Sequence, residues 1–103
     1  MPKFKNCLMD TLYYDEAPWV DYPCEVSIED GLISVEYVTE DGRFVYSGHE
    51  QTPGGYILKG NDDCDATLYW SDKTRVMYGG WVSQGYRGLW KITLGTPTPA
   101  NVA

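Results

Sequence analysis

A chain of 103 residues is the size of one domain, and its net charge of −7 and 15% aromatic content bound what that domain does. An acidic chain with no Lys/Arg cluster repels nucleic-acid phosphates and anionic membrane surfaces; it favours basic proteins, cationic small molecules or metal ions. Nine Tyr, four Trp and two Phe among well-mixed charges exclude a disordered chain, and no apolar run approaches the roughly 18 residues of a membrane span.

A domain this short buries only about 60–65% of the surface its unfolded chain exposes, so its core needs large side chains. Cys7, Cys24 and Cys64 form an odd set without paired spacing. Together with an N-terminus that lacks an apolar signal region, they point to the cytoplasm and to reduced thiols serving as small core residues.

The first strand is predicted over residues 4–12. Residues 13–23 show no strand alternation and read as a loop with four aromatics and three acids. Loops on a rigid scaffold often carry function, and Tyr and Trp are common anchors of protein contacts. Tyr14, Trp19, Asp21 and Tyr22 are therefore candidate residues for binding a basic partner. The plainer outcome is a loop that packs Trp19 and Tyr22 over one end of the fold.

Residues 24–37 alternate apolar and polar on both sides of Asp30-Gly31, a dipeptide suited to a two-residue type I′ turn. Its register sets Ile28 against Ile33, Val26 against Val35 and Cys24 against Tyr37 on the inner face. Glu25, Ser27, Ser34 and Glu36 fall on the outer face. Asp41-Gly42 offers a second such turn. That register pairs Thr39 with Phe44, Tyr37 with Tyr46 and Val35 with Gly48, and it sets His49 against Ser34. The two hairpins share one strand and agree about its inner face.

Further short strands are predicted at residues 56–59, 64–70, 75–82 and 88–94. Seven or eight strands at this spacing describe an all-β chain, a single small antiparallel meander barrel over residues 1–95. A flexible tail over 96–103 follows, its prolines being unable to donate to a ladder. Gly-x-Trp occurs twice, at Gly79/Trp81 and Gly88/Trp90. Residues two apart share a face, so each glycine leaves room for a large ring from a neighbouring strand. In this the chain resembles calycin-type barrels, the lipocalin-like and avidin-like proteins, whose own Gly-x-Trp in lipocalins lies near the N-terminus. The resemblance implies a meander barrel with an internal ligand site; it carries no binding residue over.

Alternation places Tyr37, Phe44, Tyr46, Trp70, Trp81 and Trp90 on the inner face. They either fill the barrel as a core or wall a pocket for a planar or cationic ligand. No catalytic constellation stands beside them. His49 is the only histidine, and there is no nucleophile elbow and no phosphate-cradling glycine loop. The acidic run at 61–65 places Ala66 where a calcium loop needs Gly. The expectation is a non-enzymatic binding barrel without metal or cofactor, monomer or homodimer. The alternative is an acidic interaction module for a basic protein.

Overall fold

A computed structural model describes residues 3–13, 17–60, 64–71, 73–83 and 85–98. Tyr14 and most of the acidic run at 61–65 lie outside the described residues. Among the described residues nine strands follow in order: β1 (Lys3–Tyr13), β2 (Trp19–Glu29), β3 (Leu32–Thr39), β4 (Gly42–Thr52), β5 (Gly55–Lys59), β6 (Asp65–Tyr69), β7 (Val76–Ser83), β8 (Tyr86–Thr93) and β9 (Thr96–Thr98). From β2 to β8 each strand pairs antiparallel with the next, and β1 pairs with both β8 and β2. The result is a closed eight-stranded antiparallel barrel, consistent with the calycin-type architecture. Closure gives each strand of the eight-stranded wall a partner on both sides.

Three local departures from the sequence reading have physical causes. The stretch expected as a loop over 13–23 is largely strand, since β1 runs on to Tyr13 and β2 starts at Trp19. Asp21 takes a φ of 54° and donates its N–H to the Asp10 carboxylate at 2.9 Å, which makes a bulge and hides the alternation. Asn6, at φ 59°, sits at the other register shift of the same ladder. Within the segment read as a tail, Thr96–Thr98 continues the β8 register along β1 as β9. Pro97 is tolerated there because β9 pairs on one side only.

The first hairpin has the register read from the sequence: Ile28 faces Ile33 and Val26 faces Val35. Asp30 and Gly31, with φ of 51° and 78°, form its turn. The second hairpin is shifted by two residues. The Thr39 hydroxyl accepts the Asp41 N–H at 3.0 Å and draws the reversal back onto Glu40 and Asp41. Tyr37 therefore pairs with Phe44, Val35 with Tyr46, and His49 with Leu32 rather than Ser34. A shift of two preserves every face, so Tyr37 and Tyr46 still point inward together.

The body of the barrel is aliphatic. Met9, Ile33, Leu58, Leu68, Met77 and Ile92 are fully buried there. The two Gly-x-Trp segments lie side by side in opposite directions, so that Gly79 faces Trp90 and Gly88 faces Trp81. A Cβ on Gly88 would stand 2.6 Å from the Trp81 ring, and one on Gly79 would overlap the Thr67 carbonyl. Gly80, on the outer face, would place its Cβ no closer than 3.4 Å to the Gly88 carbonyl oxygen. Gly79→Ala is accordingly expected to destabilise the fold by about 1–3 kcal/mol, whereas Gly80→Ala stays within about 0.5 kcal/mol of the parent. Urea unfolding of the two variants checks this, and equal midpoints would refute it.

Candidate ligand-binding site

One end of the barrel, where the β3–β4 turn lies, is lined with aromatic rings. Trp19 and Tyr22 are three residues apart and would point to opposite faces of a regular strand. The Asp21 bulge turns both inward, against Thr11 and Met9 respectively. Their rings stack at 4.8 Å, and both meet Tyr37 edge-on at 6.4 and 6.2 Å. Tyr37 stacks on Phe44 at 5.5 Å and on Tyr46 at 6.4 Å. Tyr46 meets Trp90 at 5.3 Å. Such pairs contribute about 0.5–1.5 kcal/mol each beyond area burial.

The polar tips of these rings are tied to the wall. The Tyr22 hydroxyl donates to the Val38 carbonyl at 2.6 Å, and the Trp90 indole N–H donates to the Thr67 carbonyl at 3.0 Å. Tyr46 is buried beside Tyr37 and Cys64. Burial above all, with these neighbours adding to it, pushes the Tyr46 phenol well above its ordinary 10.0.

Beside this cluster the β2–β3 seam opens. The ladder ends at Glu25 and Glu36, so Cys24 and Tyr37, aligned in the sequence register, are not ladder partners. Pro23, which has no N–H to offer, lies just past that end. A cavity of about 570 Å³ occupies the opening, lined by Asn6, Tyr22, Cys24, Glu25, Glu36 and Tyr37. Arg43 reaches Glu36 in an exposed ion pair that adds little stability. Glu36 and, more weakly, Glu25 raise the Arg43 guanidinium further. One guanidinium against two carboxylates leaves the rim net negative. A second, apolar groove of about 340 Å³ lies on the outer wall between Leu12, Val20, Tyr78 and Leu89.

Of the inner-face set, Tyr37, Phe44, Tyr46 and Trp90 come together here. Trp81 is buried opposite Gly88 in the same wall. Trp70 stands at the other end of the barrel, where its indole N–H donates to the Thr74 carbonyl at 2.9 Å. Trp19 and Tyr22, grouped separately by sequence, belong to this same cluster, while Asp21 is exposed at the bulge. Glu25, Glu36, Cys24 and Asn6 were not among the candidates, because alternation alone puts the two carboxylates on the outer face. Pro23 was the one sign that the seam would part. Among the described residues no group of three or more His, Cys, Asp or Glu side chains is arranged to hold a metal. No helix among the described residues is long and apolar enough to cross a membrane.

The raised Tyr46 phenol has a measurable consequence. Below pH 10 the folded and unfolded chains both keep this proton. Above it the unfolded chain releases the proton while the folded chain holds it, so stability falls as pH rises. The expected loss is up to about 1.4 kcal/mol per pH unit, and Tyr46→Phe should lose less over the same range. Parallel unfolding curves for parent and variant between neutral and strongly alkaline pH would refute this.

No protein-family model matches the chain, and neither a curated protein nor a solved structure matches it. The closed barrel itself is consistent with a cavity for a small molecule.

Proposed function

We propose that the protein is a non-enzymatic binding barrel that holds a small aromatic or cationic ligand at its aromatic end. The observation that carries this is the opened β2–β3 seam. There Tyr22 and Tyr37, together with Glu25 and Glu36, line an open cavity of about 570 Å³. Cavities of roughly 300–1,000 Å³ suit drug-sized ligands. Ring faces and carboxylates both attract a cation, and the attraction grows as water is excluded. The fully buried aliphatic body supports placing the ligand at the mouth rather than at the barrel centre.

A second reading, an acidic surface for a basic protein in the cytoplasm, is favoured by the exposed carboxylates of Asp21, Glu25, Glu29 and Asp30 along one wall. In it Trp19 and Tyr22 anchor the contact, with Tyr14 beside them in the chain.

Titration with benzyltrimethylammonium, read by Trp fluorescence, separates the two readings. Saturable binding is expected. Tyr37→Ala should weaken it at least tenfold, Glu25→Gln should weaken it several-fold, and the uncharged tert-butyl isostere should bind poorly. Equal affinity for the isostere, or no saturable signal with any aromatic cation, would end the first reading. Salt-sensitive capture of a basic protein, lost in Trp19→Ala, would then support the second.

A further inference from the structure

Cys7 and Cys24 are direct partners in the β1–β2 ladder, and both side chains point into the barrel. Direct partners in an antiparallel pair have Cα atoms about 4.5–5.5 Å apart. Disulfides form across about 4.4–6.8 Å, so neither strand needs to move far for the sulfurs to join. Both thiols are free and buried. Cys64, the third free cysteine, is buried beside Tyr46 instead.

We propose that Cys7 and Cys24 form a redox-active dithiol that closes to a disulfide across the β1–β2 seam. Three further features fit this role. First, the Cys7 sulfur lies in the gap between β8 and β9, where the Gly95 N–H donates to it at 3.3 Å; as a thiol it donates to the Phe4 carbonyl at 3.2 Å. Second, Cys24 lines the open cavity, which gives a small oxidant a way in although Cys7 is fully buried. Third, the ladder on either side of the pair is interrupted, at Asn6 and at Asp21. A bond between Cys7 and Cys24 would pin the regular stretch of the seam at the end next to the Asn6 bulge.

The sulfur of Cys7 is the better nucleophile. Proximity to Cys24 outweighs burial and, with the Gly95 N–H, holds the Cys7 thiol below its ordinary range, while the same proximity raises that of Cys24. With a peroxide as oxidant, the Cys7 thiolate attacks one peroxide oxygen and the O–O bond breaks. This leaves a sulfenic acid on Cys7 and a hydroxide that takes a proton to become water. The Cys24 sulfur then attacks the sulfenic sulfur. The S–S bond forms, the S–O bond breaks, and the departing hydroxide combines with the Cys24 proton as a second water. Two thiols are oxidised and one peroxide is reduced to two waters. The proposal does not depend on the ligand reading.

The test uses the full chain, reduced, freed of reductant and treated with a small excess of hydrogen peroxide at neutral pH. Denaturation, alkylation and peptide mass mapping follow. The expected product is lighter by two hydrogen atoms, links the Cys7 and Cys24 peptides, and carries alkylation on Cys64 alone. Dithiothreitol should reverse the link, and the oxidised form should unfold at higher urea. Cys64→Ser should cross-link as the parent does; Cys24→Ser should give no link and leave Cys7 reactive to a sulfenic-acid probe. Alkylation of all three cysteines in the treated parent, oxygen adducts without a link, or a link through Cys64 would overturn the proposal.

Discussion

The close approach of neighbouring backbones at a few inward-facing glycines is the constraint on which this barrel depends. Eight strands close only if they tilt and bend over one another. At Gly48, Gly79 and Gly88 an added Cβ would run into the carbonyl of the adjacent strand, at Ile57, Thr67 and Leu12 respectively. The missing side chains let the wall curve. Gly88 also makes room for the Trp81 indole, its ladder partner in the antiparallel β7–β8 pairing. Curvature and core filling are met together at that pair.

That arrangement sorts the interior. Aliphatic side chains fill the body, and rings collect towards the β3–β4 turn. Rings offer a ligand both apolar area and fixed electrostatic faces, so an aromatic end is where a closed barrel can recognise something. The cavity arises from a backbone event, however. β2 carries a bulge at Asp21 and a proline at Pro23, and its ladder with β3 stops at Glu25. Where it stops, inner-face tyrosines and outer-face carboxylates become neighbours. The same strand presents Cys24 to Cys7 on its other side. The irregular strand therefore holds both the candidate ligand site and the dithiol.

Much of the fold was legible in the chain. Asp30-Gly31 set a register that the ladder follows from Glu29 back to Glu25, where it stops short of the expected Cys24–Tyr37 pair, because a one-residue slip would expose Val26, Ile28, Ile33 and Val35 together. Asp41-Gly42 misled by two residues, since the Thr39 hydroxyl offers the backbone a local partner that a turn dipeptide does not reveal. The faces survived because the error was even. The stretch from Trp19 to Pro23 has the sequence of a loop because a bulge breaks the alternation on which strand recognition relies.

Composition and alternation by themselves determined an all-β chain built as a small antiparallel barrel, and which faces of β2, β3 and β4 turn inward, because a side-chain period of two is a local property of the backbone. Tertiary structure decided which of those residues meet. It joined Trp19 and Tyr22 to Tyr37, sent Trp70 to the opposite end, brought Glu25 and Glu36 beside the rings, and placed Cys7 against Cys24. Those contacts follow from closure of β1 onto β8 and from where the β2–β3 ladder ends. Both are set by backbone pairing between distant segments, which no local pattern encodes.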